Sequence, residues 1–322
     1  MKKFIYYPFK FRSFENPYCS NFVSWIEDLG LIDITPERVR GFNVKNIFKR
    51  NETCAFVNWL DNELVSKKGE ITLKGFVKAL LMMILFRLFC KKVFFVKHNN
   101  YPHSTKLNHA GIVKFLVSVL ERLATKVIIH DESIKKKNYV FVPHPLYSEC
   151  YDEIDVNIVG DYFSYFGRID AYKSIVELVN KWPDSESPLY IIGTGKDKKY
   201  VNKVKEAARN KLNVFFVNKR LSDGEAGNFI KSSKALIIPN QGLDMIVSGV
   251  VYFGITYKVP IIGFDLEHIK YLSDKFPAIF YSIDGKIESP ILLGHENEGI
   301  KKCYEEFYKR YYSSNPLKVL GL

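Results

Sequence analysis

Two cations, spaced five residues apart, follow an apolar run near the middle of the sequence. The run Tyr162–Gly167 has the composition of a β-strand, and Arg168 and Lys173 lead from it into a helical pattern at 173–182. Cations beside a helix N-terminus bind anions through charge pairing and the helix dipole. In this context the pair predicts a diphosphate site, although an isolated pair of this type is more often solvated surface.

Two later strand ends carry groups that suit a nucleotide. Gly193 ends the run Leu189–Ile192 within Gly-Thr-Gly, and such glycines let a backbone approach a ligand or turn tightly. A single Gly-X-Gly is usually only a turn. Asn218, Arg220 and Leu221 follow the run Val214–Val217, a position at which a nucleotide base could meet backbone groups.

A third strand leads through a polar loop to Ser248 and Gly249. A Ser-Gly pair at a helix start offers a hydroxyl and backbone N–H groups to phosphate, but it also serves as an ordinary helix cap. The loop residues from Asn240 to Asp244 are the candidates for contacting a donor sugar.

Histidine supplies the candidate proton acceptor. His98 and His103 follow the apolar run Val93–Lys97, and an unperturbed imidazole titrates near pH 6.5, which suits general-base catalysis. Either ring could instead bond backbone or contact a sugar or phosphate. The sequence has neither a helical i,i+4 histidine pair nor a Gly-X-Ser-X-Gly elbow, so we expect neither a metal site nor a serine hydrolase.

Short β-rich runs alternate with helical patterns along the whole chain. This alternation predicts βαβ units and an α/β fold of two Rossmann-like domains, with parallel sheets facing a central cleft. We expect an acceptor-binding domain over 1–150 and a nucleotide-sugar-binding domain over 151–300. A C-terminal helix over 301–322 is expected to cross back to the first domain.

Composition limits the classes of function. With 322 residues, 47% of them hydrophobic, the chain can bury a core without a disulfide framework, and its five scattered cysteines fit a reducing cytosol. Lysine and arginine exceed acidic residues by 47 − 35 = 12, which favours an acidic partner. No helix-turn-helix, zinc finger or RNP motif supports nucleic acid, so a nucleic-acid-binding protein is the weaker alternative.

These segments, in this order, resemble a GT-B glycosyltransferase close to glycosyltransferase family 4. The C-terminal half is similar to the family's strand-GRxxxxK-helix, strand-GxG and strand-P-loop-helix series. The N-terminal half is similar to a branch with NPY, HN-x-x-PH and PH-x-x-Y motifs, which read here Asn16-Pro-Tyr18, His98-Asn-Asn-Tyr-Pro-His103 and Pro143-His-Pro-Leu-Tyr147.

The resemblance implies a hexosyltransferase that uses a UDP-, GDP- or dTDP-linked sugar and needs no metal or other cofactor. Arg168 and Lys173 would then stabilise the leaving diphosphate, and Asn16, Tyr18, His98 and His103 would form the acceptor side. The family's E-x7-E pair falls at Met245 and Phe253, and neither is acidic. The missing pair favours inversion over retention.

The resemblance also implies a role in bacterial surface polysaccharide assembly, such as capsule, O-antigen or exopolysaccharide, on a lipid-diphosphate-linked acceptor. Helix 73–90, with Lys74, Lys78 and Arg87 beside apolar residues, fits either a core helix or a helix on an anionic membrane face. We therefore expect a cytoplasmic protein with peripheral contact to the inner membrane face. The alternative is a non-catalytic GT-B-like subunit that binds a partner glycosyltransferase.

Overall fold

The computed structural model describes residues 1–13, 17–42, 50–158, 160–239, 244–264, 266–283 and 298–322. Contacts divide the chain into two compact units. The first unit contains Met1–Pro145, residues 244–247 and Tyr311–Leu322, and the second contains the remaining residues up to Arg310. The first boundary thus falls after Pro145, where the sequence suggested residue 150, and the C-terminal segment joins the first unit from Tyr311 rather than from residue 301.

The first unit contains a six-stranded parallel sheet in the order β2-β1-β3-β4-β5-β6. Its strands are β1 (Lys3–Tyr7), β2 (Ile32–Asp33), β3 (Thr53–Asn58), β4 (Lys92–Lys97), β5 (Lys126–Ile129) and β6 (Tyr139–Phe141). Its helices are α1 (Pro17–Glu27), α2 (Leu73–Phe89) and α3 (Ala110–Leu123).

The second unit contains another six-stranded parallel sheet, in the order β12-β11-β10-β7-β8-β9. Its strands are β7 (Phe163–Phe166), β8 (Leu189–Ile192), β9 (Val214–Val217), β10 (Leu236–Ile238), β11 (Ile261–Phe264) and β12 (Phe280–Ile283). Its helices are α4 (Ile175–Lys181), α5 (Lys198–Arg209), α6 (Asp223–Lys231), α7 (Gly249–Thr256), α8 (Glu267–Lys275) and α9 (Glu298–Tyr312), whose last two residues belong to the first unit.

Side chains of the first sheet alternate between two cores. Ile5 of β1 and Val57 of β3 pack with α2 and α3. Tyr6 and Phe56, one residue away in each strand, pack on the opposite face with α1. Because successive side chains of a strand point to opposite faces, burial of both faces explains why these strands are nearly continuous apolar runs.

None of the described helices is long and apolar enough to cross a membrane.

Candidate functional site

A cavity of about 470 Å³ lies in the second unit at the carboxyl ends of β7, β8 and β9. The last residues of β7 and β8 and the three loops that follow β7, β8 and β9 form its lining. The lining residues are Phe166, Gly167, Arg168, Asp170, Ile192, Gly193, Thr194, Gly195, Lys196, Lys219, Arg220 and Leu221. This edge of a parallel α/β sheet is where such folds bind ligands.

Glycines let two of the cavity loops pack against each other. A Cβ atom on Gly193 would lie 1.9 Å from the carbonyl oxygen of Gly167, and one on Gly195 would lie 2.1 Å from that of Ile169. The Ile169 N–H donates to the carbonyl of Thr194 at 2.9 Å, which extends the β7–β8 pairing into the loops. The close packing of the two loops therefore requires both glycines, independently of any ligand in the cavity.

The cavity is cationic. Four of its lining residues are basic (Arg168, Lys196, Lys219 and Arg220), and only Asp170 is acidic. The Arg168 side chain is 65% exposed, and its Nε lies 3.6 Å from a carboxylate oxygen of Asp170. A surplus of fixed cations in a concave site raises the local concentration of anionic ligands.

Neighbouring side chains position two of these cations. The Arg168 guanidinium donates to the Tyr172 hydroxyl at 2.7 Å, and the buried Tyr165 hydroxyl donates to the Arg168 carbonyl at 2.8 Å. Lys219 pairs with Glu225 at 2.8 Å. The Arg168 side chain is thus directed by the loop while most of its surface stays open to solvent.

The predicted donor residues divide between the cavity and its surroundings. Gly167, Arg168, Gly193, Arg220 and Leu221 line the cavity. Asn218 is exposed and, like Lys173, is not one of the described lining residues.

The helix expected to begin near Lys173 begins later. Lys173 ends a 3-10 turn over Ala171–Lys173, and Ser174 follows in the left-handed conformation before α4 begins at Ile175. The Lys173 ammonium lies 5.1 Å from the centre of the Tyr172 ring. The predicted helix 173–182 is thus α4, and a 3-10 turn lies between Arg168 and its first residue.

Ser248 is the N-cap residue of α7, and Gly249 is the first residue of that helix. Ser248 is buried, but its side chain makes no capping hydrogen bond in the described structure. The ordinary capping explanation therefore does not account for its hydroxyl. Asn240 lies outside the described residues.

His98 lies in the first unit among aromatic rings. Its Nε2 donates to the Asn58 side-chain oxygen at 3.0 Å, its ring stacks on Trp59 at 4.4 Å, and Tyr18 lies edge-on at 4.8 Å. Removal from water, together with the nearby His130 and His144, holds the pKa of His98 well below its usual value. His98 is therefore neutral and a weak base.

His103 has a different environment. Its side chain is 34% exposed, and its Nδ1 contacts a carboxylate oxygen of Asp244. The segment carrying Asp244 belongs to the first unit. There the Asn100 N–H donates to the Asp244 carbonyl at 2.7 Å, and Asn99 forms an isolated antiparallel β-bridge with Met245. Asp244, which the sequence assigns to the donor sugar, is thus the partner of a candidate base.

His130, which no sequence motif marks, lies in the same aromatic cluster as His98. Its Nδ1 donates to the carbonyl of Val142 at 2.8 Å, so the neutral ring accepts at Nε2 from the Tyr18 hydroxyl at 2.9 Å. His144 donates to the Pro145 carbonyl at 2.7 Å. Tyr18, expected on the acceptor side, is thus a buried residue that packs within this cluster. Asn16, which was expected beside it on the acceptor side, lies outside the described residues. The position of His130 directly after strand β5, at the carboxyl end of a parallel strand, is the sequence feature that could have marked it as a candidate site residue.

A buried carboxyl group near His103 also has a shifted pKa. Burial raises the pKa of Asp61 to about 6, although a backbone hydrogen bond and the charge of Lys97 both lower it.

Among the described residues, no group of three or more His, Cys, Asp or Glu could hold a metal ion. Metal independence stays a prediction.

Solved structures of similar fold include glycosyltransferases. The structure of Anabaena Alr3699/HepE, in complex with UDP, has a TM-score of 0.51 at 10% identity and covers 99% of this chain and 94% of that chain. The structure of TarM has a TM-score of 0.52 at 13% identity and covers 85% of this chain, which spans 56% of the TarM chain. No protein-family model and no curated protein matches the sequence.

At these identities the likeness establishes the fold alone. The chain has two parallel six-stranded sheets with interleaved helices, as GT-B glycosyltransferases do, and the predicted fold class is confirmed.

Proposed function

We propose that the protein is a glycosyltransferase that moves a sugar from a nucleotide-diphosphate donor to a hydroxyl of a saccharide. The observation that carries the proposal is the cationic cavity at the carboxyl ends of β7, β8 and β9. A diphosphate is the chemical group that suits several converging cations at this edge of a sheet. The presence of UDP in the similar Anabaena structure supports a nucleoside diphosphate as the ligand.

Arg168 is the cation that we assign to the leaving diphosphate. As the bond between the anomeric carbon and the phosphate oxygen breaks, negative charge grows on the diphosphate, and fixed cations stabilise that charge. Arginine can also form two parallel hydrogen bonds to phosphate. Lys173 remains the second cation of the proposal, with a smaller effect because it is not among the described cavity residues.

His103 is the base that we assign to the acceptor. The acceptor oxygen bonds to the anomeric carbon while its proton passes to His103, and the Asp244 carboxylate stabilises the imidazolium that forms. We prefer His103 over His98, because the pKa of His98 is held low and its Nε2 already donates to Asn58. A single displacement of this kind inverts the anomeric centre.

We propose that the acceptor is a lipid-diphosphate-linked saccharide of a bacterial surface polysaccharide, extended without a metal at the inner membrane face. Ser248 and Gly249 would add phosphate contacts at the start of α7, since the buried Ser248 hydroxyl makes no capping bond there.

Calorimetric titration of the full chain with UDP, GDP and dTDP tests the donor site. We expect one nucleoside diphosphate to bind, and we expect Arg168→Gln to weaken it by about tenfold to a hundredfold, because a hydrogen bond to a charged group is worth roughly 1.5–3 kcal/mol. Lys198→Gln is the matched control, since Lys198 is an exposed cation outside the described cavity lining.

Unchanged binding by Arg168→Gln would contradict the diphosphate assignment, and no binding of any nucleotide would contradict the proposal as a whole. Tight binding without sugar transfer to any saccharide acceptor would favour the non-catalytic subunit instead.

A further inference from the structure

Helix α2 carries apolar residues on two opposite sides. One side (Ala79, Met82, Met83, Phe86 and Phe89) is buried in the core of the first unit. The other side is exposed, although it is just as apolar: Leu73, Val77, Leu81, Ile84 and Leu88, from 41% to 75% exposed. Their spacing of three or four residues places them in one stripe along the helix. Packing in the core therefore explains only half of the apolar character of α2.

Helix α3 extends this exposed surface. Leu107, in the 3-10 turn before the helix, is 81% exposed, and Ile112 and Phe115 are 55% and 60% exposed. Both helices bury their opposite sides in the same core, so the two outward sides look away from the same face of the sheet. Of the fourteen large hydrophobic side chains exposed in the described structure, eight lie on this α2–α3 face. Scattered apolar residues are ordinary, but such clustering marks an interaction surface.

Basic residues predominate on the two helices of the α2–α3 face. The two helices contain five basic residues and one acidic residue, Glu121, which is buried against Lys97 at 2.5 Å. Lys74 and Lys114 are exposed beside the apolar stripe. The acidic residues on adjoining segments, Glu63 and Glu70, pair with Lys78 and Lys106. A second copy of this chain would set like charges against each other, whereas an anionic lipid surface complements them.

We infer that the α2–α3 face docks on an anionic lipid bilayer. The eight apolar side chains enter the boundary between headgroups and acyl chains, and Lys74 and Lys114 meet the lipid phosphates. The inference stands on these exposed residues and does not rest on the proposed sugar transfer.

Flotation of the full chain with vesicles tests this surface. We expect binding to vesicles of phosphatidylcholine with phosphatidylglycerol, weaker binding to phosphatidylcholine alone, and a decrease with added salt. Leu81→Ser/Phe115→Ser should weaken binding by about tenfold or more, because neither position would then bury an apolar side chain in the bilayer. Lys74→Gln/Lys114→Gln should weaken it by roughly tenfold on the anionic vesicles only.

Leu212→Ser is the matched control, since Leu212 is 98% exposed and belongs to the second unit. Denaturation midpoints equal to that of the parent chain would show that the variants fold. Three results would overturn the inference: no binding of the parent chain to anionic vesicles, equal binding of Leu81→Ser/Phe115→Ser, or self-association lost in that variant without vesicle binding. Nucleotide titration of the same variants, expected to be unchanged, keeps the donor site a separate question.

Discussion

The contact between His103 and Asp244 joins two residues that lie 141 positions apart in the sequence. A carboxylate beside an imidazole orients the ring and stabilises its protonated form, which is the state reached after it accepts a proton. Asp244 is accordingly a positioning residue in the proposed reaction, and His103 is the residue that meets the acceptor.

Removal of the base should lower turnover without loss of donor binding. We expect His103→Ala to reduce kcat by about 10²–10⁴-fold, the usual contribution of general-base catalysis, and Asp244→Asn to reduce it less. Added imidazole should restore part of the activity of His103→Ala, which a purely structural defect would not allow. His109→Gln is the matched control, because His109 also pairs with a carboxylate, Glu70 at 2.9 Å. Full activity of His103→Ala would refute the assignment.

The residues of the site that a local pattern marks could be predicted from the sequence. Arg168 follows a strand end and a glycine, so its place in the cavity could be predicted. Lys196 directly follows the Gly-Thr-Gly segment, and the same reasoning could have found it. The pairing of His103 with Asp244 could not be predicted, because no local pattern encodes a contact between such distant segments.

At the scale of elements, length and burial decided which strands could be predicted. Strands β8 and β9 have the predicted bounds, Leu189–Ile192 and Val214–Val217, because each is a compact apolar run. Strand β2 has two residues, too few to show any periodicity, and β12 is a half-buried edge strand. Helix α8 was also missed, since it buries only His268, Ile269 and Leu272 in nine residues.

A buried ion pair connects two elements of the first unit. Lys97 of β4 and Glu121 of α3 are 6% and 9% exposed, and the Tyr139 hydroxyl donates to the second Glu121 oxygen at 2.8 Å. Removal of one partner leaves the other charge buried without its counter-ion, which is strongly destabilising.

Lys97→Met should therefore lower the free energy of unfolding by about 3–5 kcal/mol. Lys97→Met/Glu121→Leu should lose much less, because the uncompensated carboxylate is gone as well. Urea denaturation measures both, with Lys126→Met as the control on an exposed lysine of β5. A double variant that is less stable than Lys97→Met would argue against burial of the charge as the cause.

At the scale of the whole molecule, the histidine cluster makes stability depend on pH. Because the pKa of His98 is held low in the folded protein, the unfolded chain takes up a proton below its own pKa, near 6.5, that the folded chain does not. Stability from this group is complete above that pH and declines as the pH falls. Asp61 acts oppositely, because its pKa is raised to about 6 and its stabilising effect is lost as the pH rises towards that value.

Comparison of variants separates these opposing effects. Between about pH 8 and pH 5, the parent chain should lose more stability than His98→Gln, as measured by the urea midpoint at each pH. Identical pH profiles for His98→Gln and the parent chain would show that His98 does not titrate differently on folding.

The division of the chain limits how this protein can be recombined with others. The described backbone passes from one unit to the other four times: at 145/146, between 239 and 244, at 247/248 and at 310/311. The second crossing brings Asp244 into the first unit. The last crossing brings in Leu317, which is fully buried in the core of that unit, and Asn315, which donates to the Trp25 carbonyl at 2.6 Å. A chimaera joined only at 145/146 would combine one parent's His103 with the other parent's Asp244 and C-terminal turn. Exchange of one complete unit between two proteins of this fold therefore requires several junctions rather than one.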